Sequence, residues 1–239
     1  RTVSLVRIPA PPVVCANLRG GELVRPEGAA YRDVVSPYTG TVIGTVPLST
    51  AGEVDRIVRA AAAAAPPWRD TPVKERCAVL FRFRELLLRD LDDLAHSVAA
   101  ESGKTLAEAR AGVQKGIECV EFATSVQNLD GGGSLEVSRG VVCEVRREPL
   151  GVVAGITPFN FPAMVPLWMF PLALAVGNAF VLKPSERVPL TSLRLAALLA
   201  EAGLPPGVFS VVHGGREAAE ALVVHPLVQA VAFVGSTPV

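Results

Sequence analysis

One stretch of the sequence decides the fold: it runs from Pro149 to Pro189 and reads PLGVVAGITPFNFPAMVPLWMFPLALAVGNAFVLKPSERVP. Its first part, Pro149–Leu182, contains no charged residue, so hydropathy alone predicts a membrane span. Four prolines would break such a helix and two asparagines would lie in lipid, namely Pro158, Pro162, Pro166, Pro171, Asn160 and Asn178. The stretch is therefore predicted to be a strand, a helix and a second strand, buried on both faces as parallel-sheet segments are.

Beyond Leu150, strand and helix patterns alternate along the chain. The predicted strands are Gly151–Ile156, Ala179–Leu182, Val208–Val212 and Ala230–Val234, and the predicted helices are Pro162–Val176, Leu190–Ala202 and Arg216–Val223. Strands that alternate with helices imply right-handed crossovers, so we expect an α/β fold with a Rossmann-like parallel sheet. Ligands of such sheets bind beyond the carboxyl ends of the strands.

The sequence before Leu150 is predicted to form two further parts, residues 1–130 and the hairpin region 131–149, ahead of the α/β segment 150–239. The first part has predicted strands at Tyr31–Val35 and Thr41–Val46, a helix capped by Ser49 or Thr50 and stopped by Pro66-Pro67, and further helices at Lys74–Ala100, ended by Gly103, and at Leu106–Val126. Alternating residues in Ser134–Glu148 around the turn Ser138-Arg139-Gly140 predict a β-hairpin with one apolar face.

Composition excludes several functional classes. The 239 residues are 50% hydrophobic, and 23 Lys+Arg balance 23 Asp+Glu, so nothing in the charge favours nucleic acid or an anionic membrane as a partner. The 4 cysteines, Cys15, Cys77, Cys119 and Cys143, are scattered without metal-ligand spacing, so we expect reduced, mostly buried thiols and no metal. The first residues lack the apolar core of a signal peptide, which favours a cytoplasmic location.

A lysine and a glutamate lie three residues apart where the second predicted strand of the α/β segment ends. The Lys183 ammonium would donate to the ribose hydroxyls of a dinucleotide, and the Glu186 carboxylate would accept from them. A carboxylate at this place would also repel a 2′-phosphate, which favours NAD over NADP. From spacing alone, the alternative stands that the two residues are an ordinary solvated pair on a loop.

Two other clusters follow predicted strands. In the turn TPFNFP, the Asn160 amide would donate to an oxygen on which negative charge develops, or else bond to its own backbone as a turn asparagine. Gly235-Ser236-Thr237 is predicted to open a helix whose N–H groups face a phosphate, although a glycine followed by a simple helix cap explains it too. For the three histidines, His96, His213 and His225, structural roles are expected.

Four motifs together resemble the aldehyde dehydrogenase superfamily: Pro149–Pro189, ESGKTLAEA (Glu101–Ala109), EAGLPPGVFSVVHG (Glu201–Gly214) and AVAFVGSTPV (Ala230–Val239). The resemblance covers essentially the whole chain. It is closest to the CoA-acylating branch, the methylmalonate-semialdehyde dehydrogenases.

The resemblance implies roles for seven residues. It implies that Asn160 helps to form an oxyanion hole, that Lys183 and Glu186 bind the adenosine ribose, and that Ser236 contacts the pyrophosphate of NAD. It further implies that Thr157 and Phe159 line the cofactor cleft and that Arg187 is an additional cofactor contact. Phe159 also departs from many hydrolytic members, which carry tryptophan before the asparagine.

The resemblance also implies what the intact enzyme does. It would oxidise malonate- or methylmalonate-type semialdehydes with NAD and transfer the acyl group to CoA. The family's nucleophilic cysteine and its downstream cofactor glutamate are expected beyond residue 239, so this N-terminal part is expected to be inactive alone. The alternatives are a general hydrolytic aldehyde dehydrogenase and a truncated, non-catalytic fragment. The hairpin resembles the family's oligomerisation element, which implies a homo-oligomer at full length.

Overall fold

The computed structural model describes residues 6–7, 11–129 and 131–236. The strands are β1 (Val13–Val14), β2 (Asn17–Arg19), β3 (Glu22–Val24), β4 (Ala30–Val35), β5 (Val42–Leu48), β6 (Gly133–Ser138), β7 (Val141–Val145), β8 (Val152–Ile156), β9 (Ala179–Lys183), β10 (Phe209–Val211) and β11 (Val228–Phe233). The helices are α1 (Ala51–Asp70), α2 (Val73–Arg89), α3 (Leu91–Ser102), α4 (Leu106–Thr124), α5 (Val126–Leu129), α6 (Met164–Ala175), α7 (Leu190–Glu201) and α8 (Arg216–Val223).

The main sheet has six strands in the order β11-β8-β9-β10-β2-β3. The pairs β11–β8, β8–β9 and β9–β10 are parallel, which confirms the predicted parallel sheet and α/β fold. Strands β2 and β3 extend its far edge in antiparallel pairing, an addition that the sequence did not predict because each strand has three residues. A second sheet, β1-β5-β4, lies apart from the main one.

The apolar stretch Pro149–Leu182 forms β8, α6 and most of β9, as predicted. All residues of β9 are buried, and helices cover both faces of the sheet, with α6 on one side and α1 on the other. Four aromatic rings pack at the centre of the larger core, namely Phe83, Phe170, Phe180 and Phe209. Within the described residues, no helix has both the length and the apolar character that a membrane crossing requires.

The prediction that Pro66-Pro67 stops the first helix is wrong, because α1 continues to Asp70. Tertiary contacts hold the turn that the prolines weaken. The indole Nε1 of Trp68 donates to the Leu174 carbonyl oxygen at 3.0 Å, and its side chain is buried in the core. The Thr71 hydroxyl donates to the carbonyl oxygen of Pro67 at 2.9 Å, so packing overrides the intrinsic penalty of proline.

The predicted helix Lys74–Ala100 is two helices, α2 and α3, which meet at Asp90. The Asp90 carboxylate lies 2.7 Å from Nε of Arg89 and also bonds to Arg194 of α7. Hydrophobic periodicity carries no information about a partner 104 positions away, which is why this break was missed. The predicted end at Gly103 is confirmed, since Gly103 has a φ of 77° and closes α3 in the left-handed conformation that favours glycine.

The first helix begins where predicted, but its cap comes from elsewhere. Neither Ser49 nor Thr50 caps α1 with its side chain: the Ser49 hydroxyl accepts from the Asn17 amide at 2.9 Å. The backbone N–H of Ala51 instead donates to Oε1 of Glu217 at 3.0 Å, so the first turn of α8 caps α1.

Strands β6 and β7 form the predicted hairpin as a sheet of their own. Every residue of both strands is exposed, so its apolar face, which includes the opposed pair Leu135 and Cys143, is not covered by any described part of this chain.

Two glycines of α4 make a matched test of packing. A Cβ on Gly116 would lie 2.5 Å from Cδ1 and 3.1 Å from Cβ of Leu167, a fully buried residue of α6. We expect Gly116→Ala to lower the free energy of unfolding by about 1–3 kcal/mol through overpacking. Denaturant unfolding followed by circular dichroism measures the change.

The control is Gly112→Ala, one turn earlier on the same helix. A Cβ there would meet its nearest atom, Cδ1 of Phe161, at 3.9 Å, which is ordinary contact. The free energy of unfolding of this variant should rise by about 0.5–1 kcal/mol, because alanine restricts the conformations of the unfolded chain and favours the helix. Equal effects of the two substitutions would contradict the close approach of α4 to α6.

Candidate functional site

The carboxyl ends of three neighbouring strands bring three of the sequence clusters to one edge of the sheet. The N–H of Thr157, just after β8, donates to the carbonyl oxygen of Lys183 at 3.2 Å. On the other side, the N–H of Val234 donates to the carbonyl oxygen of Ile156 at 3.1 Å, which places the end of β11 beside β8. The clusters at 157–160, 183–187 and 235–236 therefore lie next to one another, where open α/β sheets bind ligands.

Lys183 and Glu186 form a pair at this edge. The Lys183 side chain is 6% exposed, and its Nζ lies 3.8 Å from Oε2 of Glu186 and donates to the carbonyl oxygen of Pro184 at 3.2 Å. Burial lowers the pKa of Lys183, and the neighbouring carboxylate partly opposes that shift. A lysine this buried is not an ordinary solvated loop residue, so the alternative left open by the spacing does not describe Lys183.

Arg32, a residue that sequence reasoning missed, extends this pair. Its guanidinium NH1 lies 3.3 Å from Oε1 of Glu186, and it comes from β4 of the second sheet. The Glu186 carboxylate is thus held between a lysine on one side and an arginine on the other. No local signal in the sequence connects positions 32 and 186, so the contact of Arg32 with Glu186 could not be predicted without the structure.

Phe159 and Arg187 contact each other across the cleft between two strand ends. The guanidinium carbon of Arg187 lies 5.0 Å from the centroid of the Phe159 ring, a cation–π contact, and the ring is 49% exposed. Beside them the Thr157 side chain is buried, and its hydroxyl has no hydrogen-bond partner among the described residues. The exposed ring supplies a flat apolar surface next to the Lys183–Glu186 pair, and the Thr157 hydroxyl is a buried polar group without a partner beside it.

Asn160 follows Phe159 and is exposed at the same edge. Within the described residues its amide makes no hydrogen bond, so the alternative of a turn asparagine bonded to its own backbone finds no support. The next residue, Phe161, carries the Lys104 ammonium over its ring, with Nζ 3.3 Å from the centroid. Burial lowers the pKa of Lys104.

Ser236 is exposed beyond the end of β11, close to the Thr157 cluster. The helix predicted to follow Gly235, including Thr237, falls outside the described residues. The phosphate-binding role suggested for this segment therefore stays a prediction.

Of the histidines, His213 is fully buried after β10. Burial and the neighbouring Lys183 ammonium lower its pKa to about 3, so the ring is neutral. The Nδ1 of His225 accepts from the N–H of Leu227, so its Nε2–H donates to Oδ1 of Asp55 at 3.1 Å. His96 Nδ1 accepts from the N–H of Arg7 at 3.2 Å. The contacts of His225 and His96 fit the structural roles expected for these two residues, whereas neither ring nitrogen of His213 has a hydrogen-bond partner among the described residues.

The four cysteines are free thiols: Cys15 and Cys77 are buried, Cys119 is half-buried and Cys143 is exposed. Burial raises the pKa of Cys15 to about 12, so this thiol is inert. Among residues 6–7, 11–129 and 131–236, no cluster of three or more His, Cys, Asp or Glu side chains is arranged to hold a metal ion.

The fold is thus a mainly parallel α/β sheet of the class that binds ligands at the carboxyl ends of its strands, and a buried lysine, a carboxylate and an exposed asparagine lie at that edge. The family profile of the aldehyde dehydrogenases matches residues 24–239. The chain belongs to the aldehyde dehydrogenase family.

Its relatives within the family include semialdehyde dehydrogenases. Malonate-semialdehyde dehydrogenase 1 of Geobacillus kaustophilus is 50% identical over 227 residues, which are 95% of this chain and 46% of that protein. The crystal structure of a methylmalonate-semialdehyde dehydrogenase from Oceanimonas doudoroffii superposes with a TM-score of 0.92 at 45% identity, covering 95% of this chain and 46% of that one. A provisionally named methylmalonate-semialdehyde dehydrogenase from Sinorhizobium meliloti, solved with NAD, gives 0.93 at 40% identity, covering 96% and 47%. The chain thus spans about half the length of these relatives.

Proposed function

We propose that this chain forms the cofactor-binding part of an NAD-dependent, CoA-acylating dehydrogenase of malonate or methylmalonate semialdehyde. The observation that carries the proposal is the Lys183–Glu186 pair, which lies beside Phe159 and Arg187 at the carboxyl edge of the sheet. The names of the relatives support the substrate class, and the NAD complex of one structural neighbour supports the cofactor.

The residues present fit NAD. The Lys183 ammonium and the Glu186 carboxylate offer a donor and an acceptor to one ribose, and the unpartnered Thr157 hydroxyl and the exposed Phe159 ring lie next to them. Ser236 would contact the pyrophosphate, and Arg187 would be an additional cofactor contact. When bound, NAD supplies the acceptor for the hydride that leaves the substrate.

Asn160 would act on the aldehyde. When a thiolate attacks the aldehyde carbon, the carbonyl oxygen takes up negative charge, and the Asn160 amide N–H would donate to it. The amide is free to do so because it makes no hydrogen bond within the described part of the chain. The attacking thiolate would come from the remaining length that family members have, since none of Cys15, Cys77, Cys119 and Cys143 lies in this cluster.

Self-association through the hairpin β6–β7 also belongs to the proposal. Its uncovered apolar residues fit pairing with a second copy, because an isolated two-stranded sheet is marginally stable in water.

Nucleotide binding by the 239-residue chain tests the site. Lys183→Ala should weaken the binding of both NAD and AMP about tenfold or more, because it removes a buried charged donor. The substitution also leaves Glu186 with one cationic neighbour fewer. AMP and NAD should bind comparably and weakly, because the contacts are made to the adenosine half. Isothermal titration calorimetry measures both affinities.

Lys115→Ala is the matched control. Lys115 also pairs with a glutamate three residues on, with Nζ 2.6 Å from Oε2 of Glu118, but that pair is exposed on α4. It should leave NAD and AMP affinity unchanged. Tight NAD binding that survives Lys183→Ala would contradict the assignment of the site.

A further inference from the structure

Glu101 is a buried carboxylate outside the cluster at the sheet edge. It lies in the last turn of α3 and is 3% exposed. Its Oε2 accepts the N–H of Leu190 at 2.8 Å, and its Oε1 accepts the N–H of Thr191 at 3.0 Å. These are the first two N–H groups of α7, and Pro189, at the N-cap position, provides no side-chain cap. A carboxylate from α3 therefore satisfies the N-terminal donors of α7.

The start of α7 is joined by a short turn to the proposed dinucleotide site. Glu186 and Arg187 lie between Lys183, at the end of β9, and Leu190, at the start of α7. The N–H of Val188 donates to the carbonyl oxygen of Ser185 at 3.1 Å, and Val188 and Pro189 are buried. Because this connection is tight, a displacement of the first turn of α7 displaces Glu186 and Arg187 with it.

We propose that Glu101 is a positioning residue for dinucleotide binding: its ionised carboxylate fixes the first turn of α7 and, through it, the loop that carries Glu186 and Arg187. The inference rests on the proposed function of that loop. Glu101 itself would touch neither the nucleotide nor the substrate.

The protonation state of Glu101 provides a readout that a simple packing role would not give. Burial raises the pKa of Glu101 to about 7, although its bonds to Thr191 and Leu190 act in the opposite direction. A protonated carboxyl presents one acceptor oxygen fewer to two N–H donors, so its hold on α7 weakens as pH falls through about 7.

Few other groups act on this carboxylate. Among the described residues these are the Cys15 thiol, which stays neutral because burial raises its pKa to about 12, and the hydroxyl of Thr191, which lies 3.1 Å from that of Ser97. A pH dependence of NAD affinity between about pH 6 and pH 8 that is lost in Glu101→Gln therefore belongs to Glu101.

The test is Glu101→Gln in the 239-residue chain. The amide keeps the shape but turns an NH₂ group towards one of the two N–H donors. At about pH 8 the variant should bind NAD about tenfold more weakly than wild type, the effect of losing one hydrogen bond to a charged group. At about pH 6 the two proteins should bind alike, because wild-type Glu101 is then protonated. Calorimetry measures the affinity, and hydrogen exchange at the Leu190 and Thr191 amides should be faster in the variant.

Glu108→Gln is the control. Glu108 also caps a helix, since Oε2 accepts the N–H of Thr105 at 3.1 Å at the start of α4, but the loop that carries Glu186 and Arg187 is not joined to that cap. It should lower the melting temperature without changing NAD affinity. The inference is overturned if Glu101→Gln binds NAD as tightly as the wild type at about pH 8. It is also overturned if hydrogen exchange at the Leu190 and Thr191 amides is the same in both proteins. A wild-type chain that binds no NAD refutes the proposed function instead, and the exchange data still decide whether Glu101 fixes the loop.

Discussion

Asn160→Ala should lower the kcat of aldehyde oxidation by about 10²–10³-fold, the usual effect of removing one donor from an oxyanion hole. The amide N–H is expected to bond more strongly to the charged oxygen that develops during thiolate attack than to the neutral carbonyl. Its loss therefore raises the barrier while leaving substrate binding almost unchanged. The exposed position of Asn160 at the sheet edge and its lack of a partner in the described residues are the structural basis.

The measurement needs a protein that carries a nucleophile. Residues 1–239 can be joined to the remaining half of the Geobacillus kaustophilus relative, which is 50% identical over the shared part. NADH formation from malonate semialdehyde then gives kcat and KM. Asn128→Ala is the control, because Asn128 is exposed on the distant helix α5. A fall in kcat smaller than about threefold, with NAD affinity intact, would remove Asn160 from the proposed mechanism.

We expect the product made by the joined protein to depend on whether coenzyme A is present. In its presence the acyl group should leave as a thioester, whereas a hydrolytic enzyme would release free carboxylate. CoA and NADH are both adenine nucleotides and would compete for the Lys183–Glu186 region, so NADH should have to leave before CoA enters. Ping-pong kinetics with saturation by CoA should follow.

Mass spectrometry of the products with and without CoA tests this expectation. Acyl-CoA that accumulates in proportion to NADH supports the acylating function. Free carboxylate formed at the same rate whether or not CoA is supplied would contradict it. The general hydrolytic aldehyde dehydrogenase would then be the better description of the protein.

Local pattern was sufficient to predict the α/β half of the fold. The strands and helices from β8 to β11 lie within about two residues of their predicted bounds. The sequence patterns that predict these elements are local, because a fully apolar strand followed by proline or glycine can be recognised within a few residues. The same signals placed Thr157, Lys183 and Ser236 at strand ends, and so at one edge once the sheet is parallel.

Apart from the short strands β2 and β3, the missed features depend on partners distant in sequence. Trp68 stabilises a helix turn that contains two prolines by bonding to Leu174, and Asp90 breaks a helix by pairing with Arg194. Arg32 reaches Glu186 from another sheet, and Glu101 caps a helix that begins 89 positions later. Hydrophobic periodicity and capping motifs are recognised within one segment of sequence, so they cannot predict contacts between residues that are far apart in the chain.

The bond between Asn17 and His213 has a consequence for how the protein is made. The Asn17 side chain accepts the N–H of His213 at 2.8 Å across 196 positions of sequence, and β2 pairs with β10 directly before that bond. During synthesis on the ribosome, β2 and β3 emerge well before their neighbour β10, because the paired residues Leu18 and Val211 are separated by about 190 residues of sequence. We therefore expect the open edges of β2 and β3 to stay unpaired and prone to wrong pairing until β10 is made, and the pairing of β2 with β10 to be a slow step of folding.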